Sequence, residues 1–468
     1  MDAKDPMNPM DATASRPQGH TICLLNDSFP PVIDGVANAV CNYAENIEKH
    51  YGHAVVATPS VPGADDSAFP FPVLRYPSLD TRRLVGYVAG YPFSPETARR
   101  IREEKVELLH AHCPISSAFL ARQIQEAEGL PLILTYHTKY DIDIANALRS
   151  KTLQEGAIHA LLQNINGCDE VWTVSRGAGE NLRSLGYTGD YIVMENGVDM
   201  PLGTVPAQEI AAVTGAYDLP GSVPVFLFVG RLMWYKGLRI ILDALAELNA
   251  QGIAYRMVFV GDGGDGQAVR AYATELGLDG VCFFTGPISD REQLRTWYSR
   301  ADLFLFPSTF DTNGLVVREA AACGTATVMI AGSCAAEGVT DGRNGFFIEE
   351  NAASLAAKLR ALCAAPARVA EAGHMAAAEL YLSWEDAVKR ACARYDAVLE
   401  ACRAGRYPRR HSPQDEWMRH QGELMEALGE ANARRQERRE QRRRREEELK
   451  ANLEMQYSRL WEYMERYL

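Results

Sequence analysis

The chain has 468 residues, 47% of them hydrophobic, and a formal net charge of −13. That length suits about two to four domains with ordinary cores, and the composition is neither fibrous nor disordered. The acidic balance argues against a general nucleic-acid binder.

The first 19 residues lack the apolar centre of a signal peptide and are expected to be disordered. No run of about 18 apolar residues follows, so nothing is expected to span a membrane. The ten cysteines form no CxxC pair and no zinc spacing. Without a disulfide framework a reducing, cytoplasmic setting is expected.

From His20 the chain alternates strand and helix. "TICLLND", "HAVVATP", "VELLHAHCP", "PLILTYHT", "DEVWTVS" and "DYIVMENG" read as strands with helical segments between most of them. Such a rhythm predicts a parallel sheet covered by helices, assigned to residues 20–200. A Pro- and Gly-containing break follows near Val198 to Val223. The rhythm then restarts with "VFLFVG", "YRMVFVGDG", "VCFFTGP", "ADLFLFPS" and "ATVMI", giving a second α/β domain over 201–385. Residues 386–404 read as a closing helix that returns to the first domain. Ligands of parallel α/β sheets bind beyond the carboxyl ends of the strands, so two facing domains would form a cleft lined by strand-end loops.

The tail, 405–468, differs in kind. It carries 15 basic and 13 acidic residues against an acidic body. Arg435, Arg438, Arg439 and Arg442 fall at helical spacing. Leu449, Leu453, Tyr457, Leu460, Trp461, Met464 and Leu468 then recur every three or four positions, the pattern of an amphipathic helix. Such a helix suits an anionic membrane surface, packing on the chain's own N-terminal domain, or a homo-oligomer.

Several strand-end residues suggest an anion site. Asp311 precedes the helix "LVVREAAACG" and Glu319 lies about two turns inside it. The first-turn amides after Gly314, beginning with Leu315, suit a phosphate. A buried Glu319 needs hydrogen-bond donors, which a ribose diol would supply. The structural alternative is a helix cap and an internal ion pair to Arg318 or another base. Arg231 and Lys236 follow the strand "VFLFVG", where two cations suit a diphosphate. Gly35 opens a helix after the first strand and lets backbone approach closely. His137 sits just past a strand end and could bond a sugar hydroxyl or polarise a reaction centre. His110 and His112 are expected to point to opposite faces of their strand, so they are given no metal role.

Together "PPVIDGV", "YHTKYD", "VSRGAGENLRSLG", "NGVD", "FVGRLMWYKG", "VGDG", "FFTGPIS" and "TFDTNGLVVREAAACG" resemble the retaining glycosyltransferases of family 4, from about His20 to Cys402. The resemblance implies the GT-B fold: two Rossmann-like parallel-sheet domains facing across a cleft, here with an extra C-terminal helical tail. The family's last motif is a Glu-seven-residues-Glu pair. Asp311 stands at its first position and Glu319 at its second. The resemblance implies that Glu319 holds the ribose, that Arg231, Lys236 and the amides near Gly35 and after Gly314 hold the diphosphate, and that Ile288 lies near the base. Asp311 and His137 then serve the donor sugar and reaction centre as the catalytic candidates. No metal and no cofactor are implied. The implied donor is a nucleotide-sugar, UDP-glucose before GDP-sugars, and the implied acceptor a lipid such as diacylglycerol, at the inner face of the cell membrane. A polysaccharide or small-molecule acceptor, a nucleotide-sugar epimerase and a non-catalytic binder stay open.

Overall fold

The computed structural model describes residues 19–32, 34–81, 88–148, 150–407 and 413–467, and the side chains of these except at 143, 146, 147, 436, 446 and 448–467. The expected N-terminal disorder and the apolar stripe from Leu449 to Leu468 lie outside what it describes.

The apolar strands form two parallel sheets. The first sheet holds β1 (Thr21–Leu25), β2 (His53–Pro59), β3 (Val73–Tyr76), β6 (Leu108–Ala111), β7 (Leu132–Tyr136), β8 (Glu170–Thr173) and β9 (Ile192–Val193), in the order β3-β2-β1-β6-β7-β8-β9. A short antiparallel pair, β4 (Ser78–Leu79) and β5 (Ala89–Gly90), lies outside it. The second sheet holds β10 (Val225–Val229), β11 (Arg256–Val260), β12 (Cys282–Gly286), β13 (Leu303–Phe306), β14 (Ala326–Ile330) and β15 (Phe346–Ile348), in the order β12-β11-β10-β13-β14-β15. Both sheets wind outward from their first strand in two directions. The switch points fall between β1 and β6 and between β10 and β13, where ligand crevices form in such sheets.

The helices of the first domain are α1 (Gly35–His50), α2 (Pro95–Glu103), α3 (Ser116–Glu128), α4 (Tyr140–Ala147), α5 (Lys151–Asn166) and α6 (Arg176–Ser184). Those of the second are α7 (Ala207–Thr214), α8 (Leu238–Ala250), α9 (Gly266–Glu275), α10 (Arg291–Arg300), α11 (Leu315–Ala322), α12 (Ala352–Cys363) and α13 (Pro366–Glu379). Polar caps set several starts. Asp34 accepts the amides of Val36 and Ala37, and Asp290 those of Glu292 and Gln293.

The chain passes between domains twice, side by side. Val198 pairs with Ser383 in a parallel bridge, and Val198 N–H donates to Leu382 O at 2.9 Å. Helix α14 (Trp384–Arg403) then lies on the first domain. Its Tyr395 stacks on Trp172 with ring centroids 5.5 Å apart, and Arg394 Nε donates to Glu170 at 3.0 Å.

Helix α15 (Pro413–Tyr467) begins against α2 and α3 of the first domain. Met418 and Met425 are buried there, and Trp417 meets Phe119 edge-on at 5.7 Å. Asp415 and Arg122 form a buried ion pair, supported by Arg122 Nη1 donating to Gln163 O at 3.2 Å. From Arg434 to Arg445 the described side chains stand in solvent, including all four arginines of the predicted basic stripe.

Removing one partner of a buried pair strands the other charge. Asp415→Ala is therefore expected to cost about 3 kcal/mol of stability, measured as a fall in the urea midpoint. The change should also speed proteolysis within 413–430.

Candidate functional site

Lys236 is placed by its own turn. A 3₁₀ turn, Trp234–Lys236, follows β10 and ends at Gly237, whose φ is 77°. A Cβ at Gly237 would stand 1.9 Å from Pro307 O, so only glycine lets this turn lie on the end of β13. Lys236 is thereby carried to the loop after β13. Its Nζ donates to both oxygens of Asp311, at 2.7 and 2.8 Å. Ser308 Oγ donates to Asp311 Oδ2 at 2.7 Å. Rings of Phe306 and Phe310 lie 5.9 and 5.7 Å from Nζ. An ammonium has three donors, so one stays available for a ligand oxygen.

Arg231, just past the end of β10, is exposed, and its guanidinium has no ion-pair or hydrogen-bond partner among the described residues. Gly314, with φ 60°, precedes α11 and leaves the first-turn amides without a side-chain cap. A Cβ there would sit 2.8 Å from Ala335 Cα. Leu315 N–H thus opens an uncapped helix start beside the Asp311 loop. Near Gly35, Asp34 Oδ1 already accepts Val36 N and Ala37 N, at 2.9 and 2.7 Å, so those two amides are satisfied by the helix's own cap. Ile288 follows β12 and packs half-buried on the second core.

Glu319 is buried, and its carboxylate is held by Arg291 Nη2 at 2.8 Å and Tyr298 O–H at 3.0 Å. Both come from α10. Arg318, the partner considered from sequence, turns the other way and pairs with Glu195. Burial and the adjacent Glu319 push the Tyr298 phenol well above its ordinary range, so it remains a donor. Each Glu319 oxygen keeps a lone pair for a further donor. Sequence reasoning missed Arg291 and Tyr298, because no spacing ties α10 to α11.

The Asp311 loop touches the facing domain. Thr312 Oγ1 donates to His137 O at 2.8 Å, and Lys139 Nζ to Thr309 O at 3.2 Å. Ser175 Oγ donates to Thr312 O. Nearby, Glu337 of the second domain accepts Arg176 N and Gly177 N, at 2.7 and 2.5 Å, capping α6 across the cleft. His137 and Asp311 therefore line opposite walls of one cleft.

His137 is not isolated. His112 Nδ1 and His137 Nε2 are 2.9 Å apart, and the ring centroids of His110 and His112 are 4.1 Å apart. The expectation that His110 and His112 face opposite ways was wrong. Residues two apart on a strand share a face, because side chains alternate with every residue. His110 bonds Tyr395 O–H at 2.6 Å and Thr135 Oγ1 at 2.7 Å. Among the described residues no group of His, Cys, Asp and Glu has the arrangement of a metal site.

Burial lowers the pKa of all three histidines, His137 to about 3 and the other two well below the usual value. Their folded values lie under their unfolded ones, so the unfolded chain binds more protons in the window between. Their neutral-state contribution is complete above pH of about 6.5 and is lost as pH falls towards 3. Each should add a slope of about 0.7 kcal/mol per pH unit at pH of about 6.5, rising towards about 1.4 as pH approaches 5. Urea unfolding across that range should show stability falling with acidification, and a smaller slope in His110→Phe.

Two family models match this chain. "Glycosyltransferase Family 4" covers residues 33–201, and "Glycosyl transferases group 1" covers residues 214–377. The chain is 24% identical over 348 residues to an alpha-monoglucosyldiacylglycerol synthase of Acholeplasma laidlawii, covering 70% of this chain and 85% of that one. It is 30% identical over 317 residues to D-inositol 3-phosphate glycosyltransferase 2 of Catenulispora acidiphila, covering 64% and 73%. It is 26% identical over 338 residues to a GDP-mannose-dependent alpha-mannosyltransferase of Corynebacterium glutamicum, covering 70% and 76%. Among solved structures, HepE of Anabaena in complex with UDP superposes with a TM-score of 0.65 at 19% identity, covering 81% of this chain and 100% of that one. The shared architecture is GT-B.

Proposed function

Because the chain belongs to glycosyltransferase family 4 and is a glycosyltransferase that draws on a nucleotide-sugar, we propose that it moves glucose from UDP-glucose to a lipid acceptor such as diacylglycerol, with retention of configuration. The carrying observation is the Lys236–Asp311 pair beside the open start of α11 and the unpaired Arg231. These groups converge at the switch point of the second sheet, where a diphosphate would lie.

The chemistry follows from charge. The anomeric carbon exchanges its bond to the β-phosphate oxygen for one to the acceptor oxygen, and the acceptor's proton leaves with the diphosphate. Negative charge grows on the leaving group while the sugar ring becomes positive. Lys236, Arg231 and the amides from Leu315 onward stabilise the first. The Asp311 carboxylate faces the second. Glu319, stiffened by Arg291 and Tyr298, receives the ribose hydroxyls. In this reading fixed cations take the place of a metal ion.

The glycolipid acceptor is supported by likeness to alpha-monoglucosyldiacylglycerol synthases of two organisms, Acholeplasma laidlawii and Streptococcus pneumoniae. The tail supports it too. Its exposed arginines project from a helix pinned to the first domain, and basic residues near an anionic surface contribute about 1 kcal/mol each. The enzyme would then work at the inner face of the cell membrane. A second reading, a small-molecule acceptor, draws on the 30% likeness to a D-inositol 3-phosphate glycosyltransferase.

Purified protein given UDP-glucose and diacylglycerol should release UDP and form a product that extracts into organic solvent. A water-soluble product formed only with a polar acceptor would favour the second reading. Lys236→Ala should lower kcat by about 10²-fold or more, and Glu319→Ala should weaken UDP binding in calorimetry. Excess chelator should leave the rate unchanged. Truncation after Ala433, which keeps the docked part of α15, should reduce binding to phosphatidylserine vesicles without changing turnover of dispersed acceptor.

A further inference from the structure

We propose that His112 is a positioning residue for His137: its Nδ1–H holds Nε2 of the His137 ring, so that His137 presents an Nδ1–H donor to the donor sugar. This rests on the proposed function and on the sequence-based expectation that His137 serves the donor sugar.

The argument begins with proton counting. Burial keeps both rings neutral, so each carries one N–H. Their facing nitrogens, His112 Nδ1 and His137 Nε2, are 2.9 Å apart and share one proton. Two arrangements satisfy that contact. If His137 Nε2 is the donor, His112 must carry its proton on Nε2. That atom is fully buried with no partner among the described residues, so an N–H would be orphaned there. If His112 Nδ1 is the donor, Nε2 keeps only a bare lone pair. Orphaned buried N–H groups are the rarer of the two in folded proteins. The second arrangement puts the His137 proton on Nδ1, which has no partner among the described residues.

The His112 ring is held in place from several sides. Its backbone N–H donates to Leu25 O at 2.8 Å, extending the sheet by one residue. His110 packs on it, itself fixed by Tyr395 O–H and Thr135 Oγ1. Tyr395 belongs to the returning helix α14, so the end of the second domain's chain braces a side chain two residues deep behind the cleft wall. The other nitrogen of a histidine sets which one is protonated. A neutral donor at His137 Nδ1 can bond a sugar hydroxyl oxygen without adding a cation beside a ring that gathers positive charge.

The test uses the full chain with ¹⁵N-labelled histidine. Two-bond ¹H–¹⁵N spectra separate protonated from bare ring nitrogens, and loss of signals in His137→Ala assigns His137. The expected wild-type result is a protonated Nδ1 and a bare Nε2. A protonated Nε2 in His137 overturns the proposal, and this readout needs no activity and no variant of His112. Turnover of UDP-glucose with diacylglycerol gives the second arm. His112→Phe should lower kcat by about 10–100-fold with the donor KM little changed. His112→Asn, which can place an amide N–H where Nδ1–H stood, should recover most of the rate. A His112→Phe protein that unfolds at the wild-type midpoint and turns over at the wild-type rate also overturns the proposal. Full turnover in His137→Ala would instead overturn the reading of His137 at the sugar, while leaving the tautomer result standing.

Discussion

The contact between Gly237 and the carbonyl of Pro307 is the constraint from which the site follows. Two neighbouring parallel strands, β10 and β13, end there, and the turn after one lies directly on the loop after the other. The closeness carries Lys236 to Asp311, although 75 residues separate them in the chain. A side chain at position 237 would lift the turn and separate the two charges. The pair also balances itself. Asp311 occupies part of the ammonium's hydrogen-bonding capacity and keeps a nearly buried cation from standing alone, which would be costly. Arg231, whose guanidinium has no partner among the described residues, and the start of α11, which has no side-chain cap, supply positive potential that Asp311 does not cancel.

The second domain holds Glu319 rigidly. Glu319 is gripped by Arg291 and Tyr298 from the neighbouring helix, so its carboxylate is oriented before any ligand arrives. The first domain contributes differently. His137 reaches the cleft from the end of β7, and behind it stand His112, His110 and Tyr395. Helix α14 thus does more than close the chain. By returning to the first domain it completes the core that fixes the orientation of the cleft wall, while the paired crossings at Val198 and Ser383 leave two adjacent strands of chain to connect the halves. Thr312 and Glu337 are among the residues whose hydrogen bonds join the two walls.

The tail divides into two parts with different physics. Its first turns are part of the fold: a buried ion pair and two buried methionines fasten them to α2 and α3. Between Arg434 and Arg445 the described side chains, arginines interspersed with glutamates, stand in solvent. A helix that is polar all round does not hold itself on the body by burial, so this stretch is available to a charged partner.

The sequence alone determined the strand–helix rhythm, the two halves and the identity of the charged groups at the strand ends. These are local properties: apolar runs of strand length, glycines after them, and ordered motifs. It also placed Arg231, Lys236, Asp311, Gly314 and Glu319 at strand ends or the helix start that follows, because each sits within a few residues of its own strand. What only the tertiary structure decided is who meets whom. That Asp34 spends itself on the start of α1, that Glu319 answers to Arg291 and not Arg318, and that Asp415 seeks Arg122 all depend on contacts between distant segments, which no spacing in the chain encodes. The histidine cluster needed both levels. Strand alternation, read correctly, puts His110 and His112 on one face, but only the packing of β6 against β7 and α14 brings His137 and Tyr395 to them. Local geometry is written in neighbouring residues, whereas partnership across a core is fixed by which surfaces exclude water together.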